Sequence, residues 1–257
     1  ENRYYAECVA LVVLSGVGEL AVHDERVRDR VVEAAVKLVA PSDAEMIRQV
    51  ARWLAGEGGG DLDLKADAFR RFQQLSAPVS AKSVEDTAFY RYGRLLSRTD
   101  VGFDPARLGA SAGDFHAAVQ ARTADHSHAM LATATHDHKR GEDSRARLAV
   151  LSELPELWVE AARRWLDIVP LEGVAPADAY QLHQAIVGAW PLDLSASYRD
   201  GLAELRERLV GWWRKALREA KLRSSWAMPN EAYEEACRTY LERILAPNSD
   251  FLTAAVP

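Results

Sequence analysis

The sequence predicts a mainly α-helical chain that also contains a minor part of a parallel β/α architecture. Most of the chain carries apolar residues at helical spacing, as in Leu202, Leu205 and Leu209. Residues 130–135 are instead small, apolar or β-branched, which is typical of a short buried strand. Polar residues occupy every position from 136 to 140, and a helical segment begins directly afterwards. A strand, a polar rim and a helix form one βα unit, and α/β enzymes keep their catalytic groups at such rims.

The N-terminal part of the chain is predicted to be helical. Residues 25–40 carry apolar side chains at helical spacing. Ser42 stands three residues before Glu45, a capping box that predicts the start of a second helix. A glycine-rich loop at 56–60 separates this helix from a third one. We therefore assign residues 1–75 to a helical region.

The remainder divides into a portion with the predicted strand and a second helical portion. Pro78 and the small residues around it predict a loop or a short strand from Ser76 to Lys82. We assign residues 76–141, with strand 130–135 and its polar rim, to the β/α portion. Residues 142–257 form a second helical subdomain, in which helices are predicted to begin at Glu142, Pro155, Ala177, about Tyr198 and Asn230.

Composition and charge exclude several classes of protein. The chain has 257 residues, of which 48% are hydrophobic and 27% charged, with a net charge of −6. An acidic balance argues against nucleic acid as the main partner, and no apolar run is long enough to span a bilayer. Cys8 and Cys237 lie far apart, so we expect no disulfide framework or zinc knuckle and a cytoplasmic location. The sequence opens on Glu1 without a Met, so we expect this not to be a native start.

Several stretches carry a family resemblance. The main ones are Arg71–Tyr92 and Thr135–Arg140, and further matches follow at the positions Glu142–Pro155, Gly188–Pro191 and Lys215–Trp226. In order and spacing, from about Phe69 to the C-terminus, the chain resembles a middle-to-C-terminal portion of the maltooligosyltrehalose synthases of the α-amylase superfamily.

The resemblance implies a fold and a reaction. The fold would be helical insertion subdomains attached to an incomplete portion of a (β/α)8 barrel. The reaction would convert the reducing-end α-1,4 bond of a maltooligosaccharide into an α,α-1,1 bond by retaining double displacement, without a cofactor. The partners would be the maltooligosaccharide substrate and the remaining barrel segments of the parent enzyme.

The resemblance also assigns candidate site residues. Asp137 would stabilise the transition state, and His136 would bind the same sugar. A carboxylate that accepts hydrogen bonds from ring hydroxyls gains strength as the ring becomes cationic, so it favours the transition state over the substrate. Further substrate contacts are assigned to Lys82, Glu85, Tyr90, Tyr92, Lys139 and Arg140. From spacing alone, the polar pair at 136 and 137 could equally cap the following helix, and Asp86 and Arg91 could equally belong to an ion-pair network.

The chain also departs from the family pattern. His138 stands where the family usually has a small hydroxyl residue, and Ser80 and Ser83 replace a Met and a Gly near Lys82. The nucleophile of the family lies in an Arg-x-Asp and the general acid is a Glu, both expected upstream of this chain. The Arg98–Asp100 tripeptide copies the first pattern but lies out of order, so we read it as a loop. The chain alone is therefore predicted to be inactive.

Two other classes compete with this interpretation. One is a non-catalytic helical module that binds glucan or completes a barrel in trans. The other, less favoured, is a metal-dependent hydrolase, because two His-x-His patterns occur near the predicted strand, at 126–128 and 136–138. The tryptophans at helical spacing, such as Trp158 and Trp165, are predicted to be core residues rather than a sugar platform.

Overall fold

The computed structural model describes residues 22–103, 107, 109–134 and 137–256, which fall into two compact units divided between Thr87 and Ala88. The first unit contains α1 (Val22–Val36), α2 (Pro41–Leu54) and α3 (Leu62–Ser83). A π-helical turn at Val84–Ala88 includes the division between the units. The second contains short turns at Phe89–Arg91 and Leu96–Arg98 and the helices α4 (Ala112–Asp125), α5 (Glu142–Val150), α6 (Pro155–Ile168), α7 (Pro176–Ala189), α8 (Arg199–Ala220), α9 (Glu231–Ile244) and α10 (Asp250–Ala255).

Every regular element in these described ranges is helical, which confirms the mainly α prediction. The strand predicted at 130–135 is wrong over its described part. Residues 130–134 form no strand, and the side chains of Met130 and Leu131 are exposed, Met130 almost fully at 97%. A barrel strand is held by hydrogen bonds and packing from the strands beside it, and no described segment supplies such a neighbour.

Two local predictions for the first unit are also wrong. α2 begins at Pro41, whose fixed φ suits the first helical turn, so the N-cap is Ala40 and Ser42 caps nothing. The segment Ser76–Lys82 lies inside α3 although it contains Pro78. A proline inside a helix costs about 3 kcal/mol, which the helical residues on both sides outweigh. The predicted boundary after residue 75 thus falls within a helix, while the assignment of 76–141 and 142–257 stays a prediction.

The second unit is built around α7. This helix packs against α5, α6 and α8, and even its polar residues Gln181, His183 and Gln184 are buried. The Gln184 side chain accepts a hydrogen bond from the Leu96 N–H (2.8 Å) and donates one to the Gly93 carbonyl (2.8 Å). Because a buried amide must find partners, Gln184 fixes the irregular segment that leads towards Asp100.

α5 is held against the C-terminal end of α7. Ser144 Oγ donates to the Gly188 carbonyl (2.6 Å), and Arg147 donates to the Trp190 carbonyl. These bonds use carbonyls that a helix terminus leaves without partners. Leu148 is buried, and a Cβ built on Gly188 would lie 3.2 Å from its Cγ and Cδ1. The small residue at 188 therefore lets the two helices approach closely.

α8 supplies the longest apolar stripe of the core. Its buried residues include Leu202, Leu205, Leu209 and Trp213, so the leucines at helical spacing are continued by Trp213. Trp158 and Trp165 are buried in the same cluster, which confirms their predicted core role. In the part of the chain that the structure describes, no helix combines the length and apolar character needed to cross a membrane.

Candidate functional site

Asp137 lies in the irregular segment between α4 and α5. Its backbone φ is +53°, a left-handed conformation that is uncommon for a non-glycine residue. Its side chain is 49% exposed, and its carboxylate oxygen Oδ2 lies 2.8 Å from Lys139 Nζ. The Lys139 side chain is only 4% exposed, so an exposed carboxylate is backed by a buried ammonium. His136, the other half of the predicted pair, lies outside the described residues.

Asp137 does not cap the following helix. The N-cap of α5 is Gly141, and no side chain makes a capping hydrogen bond there. The capping alternative from the sequence therefore fails for Asp137. Its carboxylate is left facing solvent, paired with Lys139.

The buried carboxylate of Asp100, which was not predicted from the sequence as a site residue, contacts this segment. Asp100 is 1% exposed, and its Oδ1 lies 2.7 Å from His138 Nδ1. The same oxygen accepts hydrogen bonds from the backbone N–H groups of Val101 (2.8 Å) and Lys139 (3.3 Å). The short contact to a carboxylate assigns the Nδ1 proton to the imidazole as donor. Asp100 thus binds both residues that directly follow Asp137.

Two arginines hold the same segment from either side. Arg140 Nη1 donates to the Thr99 carbonyl (3.1 Å) and lies 3.3 Å from Thr99 Oγ1. Arg145 donates to the Thr133 carbonyl, and its Nη1 lies 3.2 Å from His138 Nδ1. Burial lowers the pKa of Arg140 below its usual value, and the nearby Asp100 carboxylate opposes that shift. An arginine still carries its charge at neutral pH.

A cavity of about 230 Å³ opens beside these residues. Its lining includes the cations Lys139, Arg140 and Arg208 together with apolar residues of α5, α7 and α8. The predicted substrate residues Lys139 and Arg140 therefore do border an open space. Arg140 differs from the expectation in one respect, because its described hydrogen bonds go to Thr99 and only Lys139 reaches Asp137.

The remaining predicted contacts have other surroundings. Tyr90 is buried in the core cluster, where its carbonyl accepts from Gln181 Nε2, so its ring offers no open face to a sugar. Tyr92 is half-buried. In the first unit, Lys82 Nζ lies 2.5 Å from Asp86 Oδ2, as the ion-pair alternative expected, and Glu85 is half-buried.

Arg91 and the histidines complete the comparison with the predictions. Arg91 Nε donates to the Ala220 carbonyl at the end of α8 (2.6 Å), which is a structural role. His126 and His128 are exposed. Among the described residues, no group of three or more His, Cys, Asp or Glu side chains could hold a metal ion.

Asp100 is the residue that sequence reasoning missed. The Arg-x-Asp pattern that contains it, at 98–100, is not preceded by an apolar strand, and this argued against a role at the site. One signal was available, because a histidine at 138, where a small hydroxyl is usual, needs a polar partner if it is buried.

The solved structures that this helical fold resembles are longer chains, of which it covers between 27% and 40%. A maltooligosyltrehalose synthase from Arthrobacter ramosus shares 34% identity, with a TM-score of 0.73 over 89% of this chain and 27% of that one. A hypothetical maltooligosyl trehalose synthase from Sulfolobus tokodaii, 22% identical, has the same fold, with a TM-score of 0.64 over 99% of this chain and 40% of that one.

The curated relatives agree. A Mycobacterium tuberculosis protein provisionally named maltooligosyl trehalose synthase is 41% identical over 191 residues, which are 72% of this chain and 24% of that protein. No family model matches. The resemblance found in the sequence is confirmed, and this chain is a homologue of the maltooligosyltrehalose synthases that spans about a quarter of the length of its curated relatives.

Proposed function

We propose that this chain is part of an intramolecular transglucosylase that moves the reducing-end glucose of a maltooligosaccharide from an α-1,4 to an α,α-1,1 linkage, in the cytoplasm. The observation that carries the proposal is the 41% identity to the Mycobacterium tuberculosis relative over 72% of the chain. The reaction is a retaining double displacement through a glycosyl-enzyme. It needs no cofactor, and its product serves trehalose synthesis.

Asp137 is the transition-state stabiliser in this proposal. Its carboxylate accepts hydrogen bonds from the hydroxyls of the sugar whose anomeric carbon reacts, and these bonds strengthen as positive charge develops on the ring. Its half-exposed position and its pairing with a buried Lys139 support the role. The carboxylate is open to a ligand, and the Lys139 ammonium balances its charge.

The other contacts are assigned by the same resemblance. His136 binds the same sugar, and Lys139 and Arg140 line the adjoining cavity. Lys82, Glu85 and Tyr92 contact the reducing-end side of the substrate. Tyr90 is removed from this set because it is buried in the core.

Residues 76–141 belong, in this proposal, to an incomplete (β/α)8 barrel that the remaining segments of the parent enzyme complete. Those segments supply the nucleophile and the general acid. The exposed Met130 and Leu131 are the residues that neighbouring strands would cover. The chain by itself therefore converts no substrate.

The test uses the full-length enzyme that the proposal implies, with maltopentaose as substrate. Asp137→Asn keeps the size of the side chain and removes its charge, so we expect kcat to fall by about 100-fold, the usual effect of losing one group that stabilises transition-state charge. Asp143→Asn is the matched control, since Asp143 is an exposed carboxylate on α5 outside the site, and it should stay within about twofold of the unchanged enzyme. Retention of more than a third of the activity by Asp137→Asn would contradict the assignment.

A glucan-binding or barrel-completing module without turnover is the second candidate. It is favoured by the exposed, non-helical segment 126–134, which has no strand partner in the described part of the chain. Binding of maltopentaose to the isolated chain, together with a full-length protein that forms no trehalose linkage, would select this candidate instead.

A further inference from the structure

The conformation of Asp137 has to be imposed by its surroundings. A φ of +53° is a strained conformation for a non-glycine residue, and such strain persists only where neighbouring contacts hold it. The segment that contains Asp137 has no regular secondary structure to provide those contacts. Side chains on other segments supply part of those contacts.

Asp100 provides them from a completely buried position. A single oxygen, Oδ1, receives the His138 ring N–H and the Lys139 backbone N–H, so the two residues after Asp137 are bound to one point. The Val101 N–H, bound to the same oxygen, orients the carboxylate. The guanidinium of Arg145 balances its charge, with Nε 4.0 Å from Oδ2.

The anchor itself is fixed to the core. Asp100 follows the turn Leu96–Arg98, and that turn is held by Gln184 of α7 through the Leu96 N–H. Arg140 adds a second connection to Thr99, next to Asp100 in the chain. A continuous set of hydrogen bonds therefore runs from the centre of the helical unit to the segment that carries Asp137.

We infer that the buried Asp100–His138 pair positions the Asp137 carboxylate, so that Asp100 is a positioning residue of the proposed site. Asp100 touches no open space and acts only through His138 and Lys139. The Lys139 backbone is bound to Asp100 while its side chain is bound to Asp137, so one residue transmits the constraint. In this pair, His138 stands where the family usually has a small hydroxyl residue.

The arrangement makes a spectroscopic prediction about His138. With Asp100 present, Nδ1 carries the proton and donates it to the carboxylate. In Asp100→Ala the acceptor is gone, and Arg145 Nη1, which lies 3.2 Å from Nδ1, becomes its donor. The ring should then change to the tautomer with the proton on Nε2. Nitrogen-15 NMR of the histidine ring distinguishes the two tautomers.

The first arm of the experiment uses this chain of 257 residues. In Asp100→Ala we expect the tautomer of His138 to change and the Lys139 amide to exchange with solvent at least tenfold faster, while the amides of α7 and α8 keep their protection. Asp178→Asn is the matched control, because Asp178 is also a largely buried carboxylate paired with an arginine, Arg223. It should leave both signals unchanged.

The second arm rests on the proposed function and uses the full-length enzyme. Asp100→Ala should lower kcat at least tenfold with KM within threefold, since a displaced stabiliser affects the transition state more than substrate binding. Asp100→Asn, whose amide oxygen still accepts from His138, should recover part of kcat. If Asp100→Ala does not fold, Asp100→Asn and His138→Ala test the same bonds from either partner.

The outcomes separate the two ideas. An unchanged tautomer and unchanged Lys139 exchange in Asp100→Ala would overturn the positioning role, and so would an unchanged kcat of Asp100→Ala in an enzyme that Asp137→Asn inactivates. If Asp137→Asn itself leaves kcat unchanged, the proposed function fails. In that case the NMR arm still decides whether Asp100 holds the segment.

Discussion

Two glycines of α8 offer a test of how tightly the helical unit is packed, because the same substitution should have opposite effects at the two positions. A Cβ built on Gly211 meets nothing within 4 Å, and the position is exposed. A Cβ built on Gly201 would lie 2.7 Å from Leu194 Cδ1 and 2.7 Å from Tyr198 Cδ1. Leu194 is buried, so it has little room to move.

The magnitudes follow from helix propensity and overpacking. Gly211→Ala should raise the free energy of unfolding by about 1 kcal/mol, the propensity difference between the two residues in a helix interior. Gly201→Ala gains at most the same amount but forces a methyl group into a filled space, which costs about 1–3 kcal/mol. The propensity gain is shared by both variants, so their difference of about 1–3 kcal/mol isolates the packing term.

The assay is denaturant unfolding followed by near-ultraviolet circular dichroism, which reports on the buried Trp158, Trp165 and Trp213 of this unit. In a thermal unfolding experiment, a difference of 2 kcal/mol would change the midpoint temperature by about 4–8 °C for a domain of this size. The reasoning is refuted if Gly201→Ala is as stable as Gly211→Ala, since the contact between Leu194 and α8 would then be loose.

Two further predictions concern buried titratable groups in the same unit. Burial lowers the pKa of His183 to about 4, so between pH 4 and 6.5 the unfolded chain binds a proton that the folded chain does not. The free energy of unfolding should therefore fall as the pH drops through this range, by about 2 kcal/mol at pH 5 relative to pH 8. In His183→Gln, the free energy of unfolding should depend less on pH over the same range. Burial also raises the pKa of the Cys237 thiol to about 12. In a Cys8→Ser variant, the native chain should therefore react with a thiol reagent at pH 8 at least 100-fold more slowly than the urea-unfolded chain. Equal rates would show that α9 does not protect this thiol.

The helices of the second unit could be predicted from the sequence because their signals are local. Prolines mark the first turns of α6 and α7, and Asn230 caps α9 through a bond to the Tyr233 N–H. Each signal acts within one turn of its own helix, so no knowledge of distant residues is needed. The prediction of a strand at 130–135 was wrong because a strand depends on hydrogen bonds to neighbouring strands, which a local sequence signal does not reveal.

The candidate site shows the same division between local and distant causes. The polar run 136–140 is visible in the sequence, and Asp137 and Lys139 do pair, two residues apart. The bond between Asp100 and His138 joins residues 38 positions apart, and no spacing rule connects them. The bond forms because both side chains are largely buried, and a buried polar group needs a hydrogen-bond partner. The pairing therefore depends on the fold of the helical unit, and exchanging residue 138 between members of the family should require a matching change at residue 100.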